Sequence, residues 1–175
     1  MSKNKIETAL DYLRNGQLII VADDDDREAE GDLVGIANLA TMESVNFMTK
    51  FARGLICAPI SAQLADRLQL TEMVAQNTDT FKTAFTISVD HRSTTTGISA
   101  EERARTIRAL ANPQTKEEDF QKPGHIFPLI GRIGGVLERR GHTEAALDLA
   151  KLTNQSEAAY ICEILNEDGT MARRP

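Results

Sequence analysis

Residues 18–32 read Leu18-Ile-Ile-Val-Ala-Asp-Asp-Asp-Asp-Arg-Glu-Ala-Glu-Gly-Asp32 and join a short apolar run to the most acidic segment of the chain. The β-branched residues at positions 19–21 predict a buried strand. Ligand sites in α/β proteins often lie directly after such a strand. We therefore expect a sheet to carry residues 23–32 into a functional site.

Helix signals recur along the rest of the chain. The spacing of apolar residues predicts a helix over residues 4–15. Three capping residues, Thr41, Ser61 and Ser99, predict that further helices begin just after them, the first of them running to about Ala52 with Gly54 as its terminator. Ser99 also forms a capping-box pattern with the glutamate three residues later.

Strand signals alternate with these helices. The apolar runs that predict strands after the first one are 33–39, 55–60, 84–89 and 158–165. Pro59 indicates an edge strand or the end of a strand. The polar stretches 71–83 and 112–124 are predicted to be surface connections, and a last helix is predicted over 143–152. This order predicts a single α/β (α+β) domain over residues 1–175, with a mixed sheet flanked by helices.

Composition excludes several classes of protein. The chain has 175 residues, 41% of them hydrophobic and 26% charged, which is typical of one folded domain rather than a disordered chain. A formal net charge of −6 argues against general nucleic-acid binding. No apolar run approaches the ~18 residues of a membrane span. The two cysteines, Cys57 and Cys162, lie in predicted strands, which indicates buried free thiols and a cytoplasmic protein.

Seven of the ten residues from 23 to 32 are acidic. A solvated loop and a metal site both fit this pattern, because packed carboxylates repel unless a cation or donors compensate them. Glu28, Glu30 and Asp32 are two residues apart, so an extended backbone would put them on one face. Hard oxygen ligands favour Mg²⁺, Mn²⁺ or Ca²⁺, and Arg27 among them could hold a phosphate. An EF-hand is excluded because its twelfth position falls on an alanine.

A second candidate region is basic. Arg139-Arg-Gly-His-Thr143 directly precedes the predicted last helix. The N-terminus of a helix attracts anions through its free N–H groups, and neighbouring arginines strengthen that attraction. This segment fits half of a phosphate site, with His142 available to bind a metal; it also fits a basic surface turn.

Three further positions have one functional and one structural interpretation each. His125 lies between prolines and a glycine, either as a catalytic group or as a loop histidine with a structural hydrogen bond. Glu163 interrupts an apolar strand, where a carboxylate needs a partner or a function. Thr96 belongs to a Thr-Thr-Thr-Gly turn before a predicted helix, which fits an anion cradle or an ordinary polar turn.

Taken in order along the chain, seven segments resemble 3,4-dihydroxy-2-butanone 4-phosphate synthase. They are Asp23-Asp-Asp-Asp-Arg-Glu-Ala-Glu-Gly-Asp32, Arg53-Gly-Leu-Ile-Cys57, Thr95-Thr-Gly-Ile-Ser-Ala100, Pro123-Gly-His-Ile-Phe-Pro128, Gly134-Gly-Val-Leu-Glu138, Gly141-His-Thr-Glu-Ala145 and Ile161-Cys-Glu-Ile-Leu-Asn-Glu-Asp-Gly-Thr-Met171. Any one of these segments is a weak signal, whereas the ordered set is specific.

The resemblance implies site residues in this chain. Metal, Mg²⁺ or Mn²⁺, is expected on Glu28 and His142. Catalytic roles are expected for His125 and Glu163, with Glu30 and Asp32 as further candidates for proton transfer. Substrate contacts are expected from Arg27, Asp32, Thr96, Arg139, Arg140, Gly141, His142, Thr143 and Glu163.

The resemblance also implies a reaction and an assembly. A homodimer with active sites near the subunit interface would convert D-ribulose 5-phosphate to L-3,4-dihydroxy-2-butanone 4-phosphate and formate, in riboflavin biosynthesis. No fused GTP cyclohydrolase II domain is expected. Two departures from the family pattern, Ala29 and a shortened stretch at 90–94, bear on the rate. The alternative is a diverged paralogue that binds a sugar phosphate or a partner without this activity.

Overall fold

The computed structural model describes residues 4–24 and 26–173, so Asp25 of the acidic segment lies outside the described residues. Its strands are β1 (Ile19–Ala22), β2 (Gly31–Ile36), β3 (Cys57–Ile60), β4 (Val89–His91), β5 (Phe120–Ile130) and β6 (Ala159–Glu163). Its α-helices are α1 (Lys5–Arg14), α2 (Met42–Phe47), α3 (Ala62–Arg67), α4 (Ala100–Ala111) and α5 (His142–Thr153). The predicted mixed sheet with flanking helices is confirmed: the strands form one sheet in the order β1-β2-β6-β3-β5-β4.

Each face of the sheet is covered by its own helices. Leu33, Ala58 and Cys162 point to one face, where they pack with apolar residues of α2, α3 and α4. Val34 and Ile161 point to the other face, beneath α1 and α5. Because side chains alternate along a strand, each strand of this sheet contributes to both cores. Within the described residues, no helix is long and apolar enough to cross a membrane.

The first strand differs from its prediction. A buried strand was expected at residues 18–21, but β1 is an edge strand that pairs only with β2, and Ile20 is 66% exposed. A β-branched run cannot distinguish an edge strand from a central one, since both favour the same residues.

The second helix begins at its predicted cap and reaches its predicted end at Ala52, but its terminator differs from the prediction. Thr41 accepts a hydrogen bond from the Ser44 N–H, and the helix continues from α2 into a π-helical turn, Met48–Ala52. Arg53 then adopts a left-handed conformation with φ 71°, so Gly54 is not the helix terminator. Gly54 is needed for another reason: a Cβ there would overlap the backbone of Glu163.

Pro59 lies near the end of its strand, which agrees with one of its two predicted interpretations: it is the penultimate residue of β3, an interior strand between β6 and β5. Two other strand predictions were partly wrong. β4 begins only at Val89, and β5 begins at Phe120, inside the stretch predicted to be a surface connection. The pairing between β4 and β5 shifts register between Val89 and Asp90. Such an irregular pairing leaves no regular alternation in the sequence.

Candidate active site

A cavity of about 260 Å³ opens beside the ends of β2 and β6. Eight of the predicted site residues line it: Arg27, Glu28, Glu30, Asp32, Arg139, His142, Thr143 and Glu163. Cys57, Phe81, Thr83, Phe85, Leu129 and Ile161 complete the wall. The acidic segment and the basic segment, which are about a hundred residues apart in sequence, therefore meet at one site.

The acidic residues reach the cavity by a route different from the predicted one. Asp32 lies on β2 directly opposite Glu163 of β6, which brings the two carboxylates to the same face. The backbone before β2 is not extended, because Ala29 has φ 54°. Instead, Asp23 holds the turn: its carboxylate accepts hydrogen bonds from the N–H groups of Glu30 (2.8 Å) and Glu28 (3.2 Å).

Two side chains of this turn and the first side chain of α5 could together hold a cation. Ligand atoms of Asp23, Glu28 and His142 all lie within 4.8 Å of one another. The sequence predicted Glu28 and His142 as ligands but gave Asp23 no separate role. Two buried atoms beside them, Asp32 Oδ1 and His142 Nε2, have no hydrogen-bond partner among the described residues. Unpaired buried polar atoms beside a cluster of hard donors fit a metal ion.

Burial controls the ionisation of these groups. It raises the pKa of Asp32 to about 8, and the nearby carboxylate of Glu163 adds to the shift. Burial likewise raises the pKa values of Glu163 and Glu28. Burial lowers the pKa of His142, which favours the neutral ring that can bind a metal. A bound cation would act in the opposite direction on the carboxylates.

Arg27 lies between the carboxylates and an aromatic wall. Its Nη1 donates to Asp23 Oδ2 (2.7 Å) and to Glu28 Oε2 (3.0 Å). Its guanidinium carbon also lies 5.0 Å from the centroid of the Phe81 ring. Phe81 belongs to the loop predicted over 71–83, and no pattern in the sequence indicated that it would reach the site.

Arg139 ties the same loop to α5. Its Nη1 donates to the buried carboxylate of Glu144 (2.6 Å), and its Nε and Nη2 donate to the Phe81 carbonyl (3.0 Å) and to Thr83 Oγ1 (2.9 Å). Arg139 therefore shapes one wall of the cavity as well as lining it. The sequence predicted a site role for Arg139 but for neither Thr83 nor Glu144.

Four predicted site residues lie outside this cavity. Arg140 and Gly141 line a neighbouring depression, where Arg140 pairs with Asp24. Thr96 is exposed in the turn before α4. His125 lies on β5 with its ring against Asp90.

His125 and Glu163 lie on different strands of the sheet. Cys57 of β3 is opposite Ile161 of β6 on one side and Phe127 of β5 on the other. The strands that carry Glu163 and His125 are therefore two strand spacings, or about 10 Å, apart.

Both cysteines are buried and free, as predicted. Cys57 has a further position that the sequence did not indicate, since its side chain lines the cavity. Burial raises its thiol pKa far above the usual value, with Glu163 and Asp32 adding to the shift. The thiol therefore stays protonated and contributes to the wall as a small apolar group rather than as a nucleophile.

Comparison with known proteins identifies one family. The model of the family described as 3,4-dihydroxy-2-butanone 4-phosphate synthase matches residues 7–175. The 3,4-dihydroxy-2-butanone 4-phosphate synthase of Oceanobacillus iheyensis is 63% identical over 172 residues, which are 98% of this chain and 83% of that protein. The riboflavin biosynthesis protein RibBA of Bacillus mycoides is 59% identical over 172 residues, and there the chain spans only 43% of the relative.

Comparison with solved structures identifies the same family. A solved structure of 3,4-dihydroxy-2-butanone 4-phosphate synthase in complex with two magnesium ions superposes with a TM-score of 0.90. It is 41% identical in sequence, and the match covers 98% of this chain and 82% of that one.

Proposed function

This chain belongs to the 3,4-dihydroxy-2-butanone 4-phosphate synthase family, and on that premise we propose how its cavity carries out the family reaction. The enzyme converts D-ribulose 5-phosphate to L-3,4-dihydroxy-2-butanone 4-phosphate and formate, a step of riboflavin biosynthesis. One observation carries the proposal: Glu28, Glu30, Asp32, Glu163 and His142 line a single cavity. A reaction that moves several protons beside developing oxyanions needs this combination of acids, bases and metal donors.

The metal site is formed by Asp23, Glu28 and His142, with Mg²⁺ as the cation and Mn²⁺ as a substitute of similar ligand preference. Their mutual distances and the unpaired Asp32 Oδ1 support this assignment. When bound, the metal would polarise hydroxyl and carbonyl oxygens of the sugar and stabilise negative charge on them.

The carboxylates around the metal site move protons. Asp32 and Glu163 face each other across β2 and β6, and burial raises the pKa of both. A raised pKa lets a carboxyl group hold a proton near neutral pH and return it within the reaction. Glu30 lies on the same wall and serves as a third group for proton transfer.

The phosphate of the substrate binds at the start of α5, next to the metal site. The N-terminus of α5 offers backbone N–H groups at His142 and Thr143, with Gly141 preceding them. Arg27 and Arg139 supply positive charge on the cavity wall, and Arg140 adds charge at its margin. Holding the phosphate there fixes the sugar end against the acidic group, which lowers the entropic part of the barrier.

The working enzyme is a homodimer whose sites use both copies. His125 and Thr96 lie outside the cavity of their own chain, and both are exposed. The apolar side chains of Leu55, Ile87 and Ile98 are exposed as well. Ile98 is two residues from Thr96, Ile87 is next to a residue paired with β5, and the Leu55 N–H donates to the Glu163 carboxylate. A second copy that covers this apolar surface would bring its His125 and Thr96 over the cavity. The two buried free thiols support a cytoplasmic location.

The test is formate release from ribulose 5-phosphate, with Mg²⁺ and then with EDTA. We expect formate and a four-carbon phosphorylated ketone in equal amounts, and no turnover with EDTA. Glu28→Gln should abolish turnover while the fold, measured by circular dichroism, survives. Glu43→Gln, an exposed glutamate at the start of α2, is the matched control and should be fully active. Activity in the Glu28 variant would remove Glu28 from the metal site.

A further inference from the structure

Asp90 makes two contacts with His125. Asp90 Oδ2 lies 2.7 Å from Nδ1 of the His125 ring, and Asp90 Oδ1 accepts a hydrogen bond from the His125 backbone N–H (3.0 Å). The Asp90 side chain is 8% exposed, whereas that of His125 is 42% exposed. A buried carboxylate therefore fixes the inner edge of a ring whose outer edge is open.

The backbone around Asp90 is shaped to bring this carboxylate to the ring. The register shift between β4 and β5 falls between Val89 and Asp90. Gly97 packs directly on the Asp90 carboxylate with φ 81°, so that a Cβ at this position would overlap it. The turn that carries Thr96 thus closes over the same carboxylate that holds His125.

The hydrogen bond decides which ring nitrogen is free. A carboxylate only accepts hydrogen bonds, so Nδ1 of a neutral His125 must carry the ring proton. The lone pair then lies on Nε2, at the open edge of the ring. A histidine can act as a base only through the nitrogen that has this lone pair.

We propose that Asp90 is the positioning residue of the site: it fixes His125 in the Nδ1–H tautomer and directs Nε2 towards the substrate. This inference rests on the proposed function, in which His125 takes part in proton transfer. Asp90 itself touches no reacting atom, and it acts through the ring that it orients. Gly97 supports the same arrangement of Asp90 and His125, since only a residue without Cβ leaves room for the Asp90 carboxylate.

The first test observes the tautomer without using activity. The chain has three histidines, so ¹⁵N labelling of the imidazoles gives few signals, and the signal missing in His125→Gln identifies His125. At a pH where the ring is neutral, we expect the unprotonated nitrogen to be Nε2. In Asp90→Asn the amide N–H faces Nδ1, and we expect the unprotonated nitrogen to become Nδ1. A wild-type ring that is unprotonated at Nδ1 would overturn the proposal.

The second test compares kinetics. Asp90→Asn should lower kcat by about 100-fold or more, the range for loss of a general base, and leave KM within about threefold. Gly97→Ala should lower kcat in the same direction by displacing the carboxylate. Asp119→Asn is the matched control, since this substitution also removes one negative charge near β5. The Asp119 carboxylate pairs with Arg92 rather than with His125. The kcat of this variant should be unchanged.

The two proposals fail in different ways. If His125→Gln is inactive while Asp90→Asn keeps its tautomer and its kcat, the role of Asp90 is refuted and the proposed function stands. If His125→Gln is fully active, the role of His125 in the proposed function is refuted, whatever the tautomer.

Discussion

Ala29 holds a backbone conformation that ordinary side chains avoid. Its φ of 54° turns the chain between Glu28 and Glu30 so that both reach the cavity. The left-handed conformation costs an alanine roughly 1–2 kcal/mol, whereas asparagine and glycine tolerate it. This chain therefore carries a local strain at the edge of its own site.

Replacement of this alanine should stabilise the protein. We expect Ala29→Asn to raise the free energy of unfolding by about 1 kcal/mol, because the strain is relieved. Urea denaturation measures the change. Ala75→Asn is the control, since Ala75 is exposed and is not among the residues with positive φ. Equal effects in the two variants would mean that the conformation of Ala29 is not strained.

Asp32 should make the stability of the metal-free protein depend on pH. Its pKa rises from an ordinary ~3.9 in the unfolded chain to about 8 in the fold. A carboxyl group with a raised pKa stabilises the fold fully below the lower value and loses that contribution as pH rises towards the higher value. The favourable contribution of Asp32 should therefore decline between about pH 4 and pH 8.

Comparison with Asp32→Asn isolates this contribution. In EDTA, wild type should lose stability relative to the variant as pH rises through that window, as measured by urea denaturation. With Mg²⁺ the loss should shrink, since a cation favours the charged carboxylate. Parallel profiles for the two proteins in EDTA would contradict the raised pKa.

Among single residues, the sequence predicted the site residues that have strong local signals. The acidic cluster, the histidine at the start of a helix and the lone carboxylate in an apolar strand all predicted sites that line the cavity. The sequence could not predict Asp90 as the partner of His125, because the two residues are 35 positions apart and meet only through an irregular pairing of strands. The same holds for Phe81, whose place depends on Arg139.

Among the elements, α4 carries the most informative cap. Ser99 accepts the Glu102 N–H as predicted (3.3 Å), but the Glu102 carboxylate reaches beyond the cap to the Thr95 N–H (2.5 Å) and hydroxyl (2.8 Å). The turn before α4 is thereby closed by a side chain of its own helix. The Thr95 N–H, one candidate donor of an anion cradle, is already taken, which favours a structural role for that group.

This cap should lose its effect in acid. Hydrogen bonds from Thr95 lower the pKa of Glu102 to about 2, below its ordinary ~4.3. A lowered pKa gives stability that is present above the ordinary value and is lost as pH falls towards the lower one. Wild type should therefore be more stable than Glu102→Gln above about pH 5, with the difference vanishing near pH 2. Glu43→Gln, which removes the same charge from the first turn of α2, is the control in these thermal melts.

Helices were predicted better than strands, for a physical reason. The caps at Thr41, Ser61 and Ser99 act within four residues, so their signals are complete in the local sequence. Whether a strand is an edge or a centre depends on which distant strand lies beside it. That is why β1 was taken for a buried strand and why the start of β5 was missed.

For the whole molecule, the proposed role of His125 depends on how its ring reaches a cavity that it does not line in its own chain. One chain gathers the candidate metal donors, the carboxylates and the start of α5 around one cavity, while His125 lies outside it on β5, two strands from β6. Exposed apolar residues in the segments near His125 and Thr96 are consistent with a surface that a second copy covers. The proposed homodimer thus follows from an incomplete site as well as from apolar exposure.

Two inactive variants should then restore each other. Glu28→Gln lacks a cavity ligand and His125→Gln lacks the second copy's contribution, so a mixed dimer keeps one site with both residues intact. Random exchange makes half of the dimers mixed, and formate release should recover to about a quarter of the wild-type rate. A mixture of Glu28→Gln with Glu163→Gln should stay inactive, because both residues line the same cavity. If the first mixture also stays inactive after subunit exchange, His125 serves the cavity of its own chain.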